Sequence, residues 1–311
     1  MSAKIAADPI LKAAIATTSN VAVYDPVTGT TIPKWVGLDL TYNRLTVALD
    51  YSTSTAADKT FLVCAGLTVS NANTGTVFSN SNYQQQFGLD EYSSPLYDKV
   101  SAVTRGVTAP AAINQTTLFC KGILYNAGGN TLGATPACMT GGSQHWTAEC
   151  LYQHDPSSFF GQFFYGVNGT DYLVSCIFDQ PNNRIELIIK NGYGIVGYAY
   201  TNMSPFGAAW YHVAFSYDGT GATNADRLKS YIDGVQQVLS FSYSIPSNMP
   251  AGLGTLRCGG NSSTLHDEIG FMSDNKDANF LQTRSNMFLY SDFWTIGAGV
   301  SPSVKDLFPI V

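Results

Sequence analysis

From His145 onward the chain alternates apolar and polar positions with a period of two, as half-buried β-strands do. Between Arg184 and Lys190, Ile185, Leu187 and Ile189 oppose Arg184, Glu186, Ile188 and Lys190, and a second run, Tyr193 to Tyr200, follows Asn191-Gly192. Asn-Gly between two such runs predicts a hairpin with a type I′ turn, whose two central residues both need positive φ. Tyr211, Val213, Phe215 and Tyr217 then share a face up to Asp218-Gly219, and Leu228 to Ile232 closes at Asp233-Gly234. Many short antiparallel strands between turn residues predict an all-β fold, a two-sheet sandwich or jelly roll.

Upstream the pattern is less regular. Val36 to Leu40, Leu45 to Leu49 and Thr60 to Val69 read as strands. Residues 70–114 are polar and irregular, with Asn71-Ala72-Asn73-Thr74-Gly75 and Tyr83-Gln84-Gln85-Gln86. That is too long for a structureless loop in a compact domain, so short strands or interaction partners are expected there. A Gly-rich passage runs from Asn126 to Gly142. In the first twenty residues Ile5, Ile10, Leu11 and Ile15 fit one face of a short helix and are the candidate anchoring residues of an N-terminal arm. Two regions are therefore expected: 1–137, an arm and irregular β-rich region for anchoring or oligomerisation, and 138–311, the sandwich.

Composition narrows the classes. Charged residues make up 12% of the 311, about half the roughly 25% usual in soluble domains. Hydrophobic residues at 45% and aromatics at 13% can fill a core, which excludes wholesale disorder. Sparse charge excludes a coiled coil. The 16 Lys and Arg against 22 Asp and Glu leave a net charge of −6 with no basic stripe, which argues against nucleic acid as a partner. No run of 18 apolar residues is present, so no membrane insertion by helix is expected. Asp8-Pro9 and Lys12 interrupt any signal-like apolar stretch, so synthesis in a host cytoplasm without a signal peptide is expected. The six cysteines (Cys64, Cys120, Cys138, Cys150, Cys176, Cys258) are loosely spaced, with Cys64 and Cys176 in apolar strand-like contexts, so free buried thiols are expected.

The run Trp210-Tyr211-His212-Val213-Ala214-Phe215-Ser216-Tyr217-Asp218-Gly219-Thr220, followed by Lys229-Ser230-Tyr231-Ile232-Asp233-Gly234, resembles the laminin-G-like branch of the concanavalin A-like lectin/glucanase fold. Leu256-Arg257-Cys258-Gly259-Gly260 resembles the next strand of that pattern. Ser291 to Ile296 and Ser301 to Leu307 resemble its closing strand and short terminal helix. The resemblance covers roughly residues 140–311. His266-Asp267-Glu268-Ile269 competes with Asp292 for the family's Asp-Glu strand, so the stretch between Gly260 and Met287 departs from the pattern. The resemblance implies a two-sheet antiparallel jelly roll used for glycans, proteins or assembly, and fold alone does not choose among these.

Glycosidases on such a sandwich carry two or three carboxylates on one strand face, as Glu-x-Asp-x-x-Glu. The adjacent pairs Asp90-Glu91 and Asp267-Glu268 point to opposite faces of a strand, so neither forms a dyad alone. A dyad assembled from separate strands stays open, but no catalytic residue is assigned and an enzyme is not expected. His145, Glu149, Cys150 and His154 cluster in sequence, yet Cys150 points away from His145 and Glu149 on a strand, so no metal site is expected. No cofactor is expected either. A structural calcium stays open, since Asp218, Asp226 and Asp233 lie near turns, where turn geometry alone also accounts for Asp. Sequons at Asn114, Asn168, Asn202 and Asn261 are of the number an Asn/Ser/Thr-rich chain generates by chance.

The candidate glycan-binding residues are Tyr198, Tyr200, Asn202, Trp210, His212 and Asp218: Tyr198 and Tyr200 share a face, as do Trp210 and His212 on the following strand. Rings there would stack on a sugar while Asn202 and Asp218 hydrogen-bond it; a core or subunit contact is the other reading. The expectation is a non-enzymatic structural protein on the surface of a bacteriophage virion, as a capsid decoration, head fibre or tail appendage. Its partners would be the major capsid or tail protein, further copies of itself as a homo-oligomer, and a cell-surface glycan. The rival readings are a soluble carbohydrate-binding lectin and, further off, a glycoside hydrolase.

Overall fold

The structure, a computed structural model, describes residues 21–24, 34–39, 44–49, 62–65, 82–87, 96–98, 100, 103–105, 112–116, 121–125, 130–139, 141–153, 160–168, 171–203, 208–251, 254–259 and 264–289. The anchoring candidates Ile5, Ile10, Leu11 and Ile15, and the family-like stretches at 291–296 and 301–307, lie outside them. The first seven strands are β1 (Val21–Tyr24), β2 (Lys34–Asp39), β3 (Arg44–Leu49), β4 (Leu62–Ala65), β5 (Tyr83–Phe87), β6 (Leu96–Asp98) and β7 (Val103–Arg105). Next come β8 (Ala112–Thr116), β9 (Lys121–Tyr125), β10 (Asn130–Ala134), β11 (His145–Gln153), β12 (Phe160–Asn168), β13 (Asp171–Asp179) and β14 (Arg184–Asn191). The last are β15 (Gly194–Asn202), β16 (Trp210–Asp218), β17 (Leu228–Ile232), β18 (Val235–Gln237), β19 (Ser240–Tyr243), β20 (Thr255–Cys258) and β21 (Thr264–Met272). One short helix, α1 (Asn224–Arg227), leads into β17, and a longer one, α2 (Ala278–Leu289), follows β21.

Two antiparallel sheets form a sandwich. Seven strands run in the order β10-β20-β12-β13-β14-β15-β19. The facing sheet runs β18-β17-β16-β11-β21-β9-β8, with β5 also paired to β21. The all-β, two-sheet architecture is the one the alternating pattern predicts. The inward set of β14, Ile185, Leu187 and Ile189, is fully buried, as are Phe215 and Tyr217 of β16. Aromatic rings join the layers: Trp146 meets Phe164 edge-on at 6.4 Å, Tyr152 meets Phe163 at 4.6 Å, and Phe164 meets Phe271 at 5.4 Å. Cys138, Cys150 and Cys176 are free and buried, Cys258 is buried as well, and burial pushes the Cys138 thiol up to about 12, so it packs as a small hydrophobe.

Two details differ from expectation. The β14–β15 hairpin exists, but Asn191 pairs with Gly194, so Gly192 and Tyr193 are its central residues and only Gly192 has positive φ, at 58°. Glycine at the first central position is the type II′ signature, in place of type I′. The type I′ pattern occurs instead between Ile232 and Val235, where Asp233 and Gly234 have φ of 52° and 77°. Secondly, the sandwich takes strands from both sides of residue 137. Strand β9 pairs with Thr264–His266 and β5 with Ile269–Met272 of β21, so the two share one side of that strand end to end. Between them sits Glu268 at φ 47°, where β21 bulges against β11. Without these two strands the polar backbone of β21 would face outward as an open edge, so the boundary at 137/138 does not separate the sandwich from what precedes it.

On the outer face of the β16–β11–β21 sheet α2 packs over β16 and β18 and buries Leu281, Ser285 and Phe288. Beneath the helix the Glu149 carboxylate is fully buried. Arg284 of α2 donates to its Oε1 from Nη2 at 2.7 Å and from Nε at 3.1 Å. His212 Nε2 lies 3.1 Å from Oε2, and the Tyr83 hydroxyl of β5 donates to Oε1. The Arg284 guanidinium also rests 4.3 Å from the Phe288 ring centroid. Burial alone would raise the Glu149 carboxyl, but Arg284 and then His212 outweigh it and hold the group far below the usual carboxylate range.

Removing one partner of a buried pair strands the other, so Arg284→Met is expected to cost about 3–5 kcal/mol, measured by denaturant unfolding. Glu149 has a depressed folded pKa, so its contribution is complete above the unfolded carboxyl value of about 4.3 and is lost as pH falls toward the folded one. Acid titration of unfolding free energy should show this decline, and Glu149→Gln should flatten it.

Candidate functional site

Strand alternation sends Val174, Cys176 and Phe178 of β13 and Ile185, Leu187 and Ile189 of β14 into the core. The intervening residues therefore stand on the outer face of the seven-stranded sheet. Cross-strand register arranges them in rows: Asp179, Arg184 and Asn202; then Ile177, Glu186, Tyr200 and Ser240; then Ser175, Ile188, Tyr198 and Tyr243. A tight turn with Asn183 at φ 48°, closed by Asn183 N–H donating to the Gln180 carbonyl at 3.0 Å, brings Asp179 opposite Arg184.

Arg184 organises this face. Its Nε donates to Asp179 Oδ2 at 3.2 Å and also to Glu186 Oε1. Its guanidinium carbon lies 4.9 Å from the Tyr200 ring centroid and 6.0 Å from that of Tyr198. The Tyr198 hydroxyl donates to Glu186 Oε1 at 2.9 Å, and the two tyrosine rings sit 5.9 Å apart. Asn182 Nδ2 donates to Asp179 Oδ2 at 2.7 Å, while Asp179 Oδ1 and Ser175 Oγ are buried with no hydrogen-bond partner. Burial raises the Glu186 carboxyl; Tyr198 and Arg184 work against that, and the neighbouring Asp179 adds to it. The face thus combines half-buried aromatic rings, fixed carboxylate acceptors and unmatched polar atoms.

The six glycan candidates do not form one site. Tyr198, Tyr200 and the exposed Asn202 come together here, but β16 belongs to the facing sheet, so Trp210, His212 and Asp218 lie elsewhere. His212 is fully buried under α2 against Glu149 and has no face to offer a sugar. Asp218 holds its own turn, accepting from Thr220 N at 3.0 Å and Thr220 Oγ1 at 2.6 Å, and pairs with Asn275 at 3.0 Å. Asp226 closes a capping box with Thr223, and Asp233 accepts from His212 N at 2.9 Å, so each turn carboxylate is engaged locally. Among the described residues no three His, Cys, Asp or Glu side chains converge on a metal position. Cys150 and Glu149 face opposite sides of β11, while His266, in the core beside Cys150 at 3.7 Å, is pushed by burial down to about 3 and stays neutral.

Sequence reading missed Asp179 and assigned no role to Arg184, Glu186 or Tyr243. The available signal was the pair of opposite charges flanking Gln180-Pro181-Asn182-Asn183, which a tight turn sets face to face.

No protein-family model and no curated protein matches the chain. Solved structures do. The binding domain of botulinum neurotoxin DC in complex with SialylT matches with a TM-score of 0.50 and 9% identity over 68% of this chain and 53% of that one. The receptor binding domain of the botulinum neurotoxin C/D mosaic serotype matches at 0.48 and 10% over 67% and 52%. Trypanosoma rangeli sialidase matches at 0.45 and 14% over 68% and 33%. The chain thus spans a third to about half of the length of these proteins. At such identity the likeness is one of fold. This chain folds as a two-sheet antiparallel β-sandwich.

Arg184 is what keeps Asp179 and Glu186 compatible as neighbours. Arg184→Ala should destabilise the protein by about 1 kcal/mol at neutral pH, with recovery on acidification as one carboxyl takes up a proton. Urea unfolding at pH 7 and pH 5 measures both effects.

Proposed function

We propose that this chain is a non-enzymatic glycan-binding sandwich, with its ligand seated on the outer face of the seven-stranded sheet over Tyr198 and Tyr200. The observation that carries the reading is the half-buried pair of rings beside carboxylates already locked by Arg184. Ring faces suit the C–H surface of a sugar, and carboxylate oxygens accept from its hydroxyls. Because Arg184 and Tyr198 hold Glu186 in place, little ordering remains to be done on binding, which favours affinity. That the toxin domain with the shared fold is in complex with SialylT supports a carbohydrate reading by analogy of fold.

The same lock favours binding over cleavage. A glycosidase needs one carboxylic acid aimed at the leaving oxygen and a second carboxylate across the bond. Here one guanidinium nitrogen engages both carboxylates. The setting we propose is the surface of a bacteriophage particle, as a capsid decoration, head fibre or tail appendage, in a homo-oligomer beside the major capsid or tail protein. The support for this setting is the laminin-G-like pattern of strands in a chain of low charge.

Tyr198→Ala should weaken glycan-array binding at least tenfold, about 1.4 kcal/mol, while the variant keeps cooperative unfolding. Unchanged binding would refute the site. Density-gradient sedimentation of the source material with mass spectrometry of each fraction should place the protein with particles at high copy; recovery only in the soluble fraction would leave the lectin reading without the virion.

A further inference from the structure

Resting on the glycan reading above, we propose that the site extends beyond Tyr198 and Tyr200 to Tyr243, and takes a linear, uncharged oligosaccharide longer than a disaccharide. Tyr243 lies on β19, the edge strand of the sheet, directly opposite Tyr198. The ladder shifts register between Tyr198 and Ala199, and Tyr243 stands beside Tyr198 on the neighbouring strand. Tyr243 is 51% exposed, so its ring is open to a ligand. Tyr200, Tyr198 and Tyr243 therefore form a stepped strip from the Arg184 cluster to the sheet edge, where a chain can continue past the protein.

The Arg184 end supplies polarity. Asp179 is only 4% exposed, yet its Oδ1 has no hydrogen-bond partner, and Ser175 Oγ, on the row that holds Tyr198, has none either. Those atoms are enclosed by the protein, so the acceptor offered to a sugar hydroxyl is the Glu186 carboxylate, held by Arg184 and Tyr198 beside the rings. Two carboxylates stand there against one guanidinium, so hydroxyl donors are welcome and a carboxylated sugar meets like charge. The other described charges of this face lie off the strip: Lys190 pairs with Ile195, and Arg257 with Tyr165 beyond Ser175. Arg184 lies over Tyr200 and, farther off, over Tyr198, which leaves the exposed Tyr243 as the most open ring of the strip.

The test is binding of the full chain to an immobilised panel of linear oligosaccharides, one to six units long, built from neutral hexoses, N-acetylhexosamines, uronic acids and sialylated chains. Affinity for a neutral series should rise about tenfold with length, the equivalent of one added aromatic contact. Tyr243→Ala should remove that rise and leave the shortest ligands unaffected. Tyr243 is exposed, so its variant should unfold at the wild-type midpoint, and Tyr243→Gln serves as a second variant with the same expected result. Equal affinity at every length, a rise that survives both variants, or preference for acidic chains would overturn the extended uncharged site and leave glycan binding standing. Absence of binding across the whole panel would overturn the glycan reading itself.

Discussion

The buried Glu149 carboxylate constrains the rest of this molecule. A charge at the centre of a sheet, taken out of water, is tolerable only if its partners arrive together. Arg284 comes from α2, His212 from β16 and Tyr83 from β5, so one carboxylate ties a helix and an N-terminal strand to the middle of the sheet. That requirement explains why β5, far upstream in the chain, belongs to the sandwich. It also explains why α2 cannot slide: a bidentate guanidinium contact fixes register in a way that Leu281 and Phe288 alone would not.

While α2 covers part of one outer face, the other outer face carries a second cluster of charged and aromatic side chains. There too a single arginine organises the neighbours, but Arg184 is only partly buried, and one oxygen of its partner Asp179 is unmatched. The two arginines thus do opposite things. Arg284 completes a closed network whose role is attachment of a helix. Arg184 holds two carboxylates and two rings in a fixed arrangement that still has hydrogen-bonding capacity to spare, the condition a preorganised binding surface needs.

How much of this was legible in the residues can be argued case by case. The inward positions of β14 and β16 follow from period-two alternation, because one buried face forces that pattern. Asp233-Gly234 read correctly as a turn, while Asn191-Gly192 read correctly as a hairpin and not as its turn type; a shift of one residue moved Gly192 to the first central position. Tyr198, Tyr200 and Asn202 share one sheet face because they lie two residues apart on one strand. Trp210, His212 and Asp218 were added because β16 follows β15 in the chain, and the chain crosses there to the other sheet. Nothing local marks such a crossing.

By itself, then, the sequence determined the class of fold, the strands and the faces they bury, since these depend on composition and on spacings of two residues. Tertiary structure decided which strands became neighbours, and through that which charges met. Asp179 and Glu186 sit seven positions apart and share Arg184; Glu149 and Arg284 are separated by 135 positions and share a hydrogen bond. Long-range pairing is set by the packing of two whole sheets, a property of the summed core and not of any window of residues. The same physics buried His212, which looks on its strand like a surface ligand group, and left Tyr243 in the open at a sheet edge.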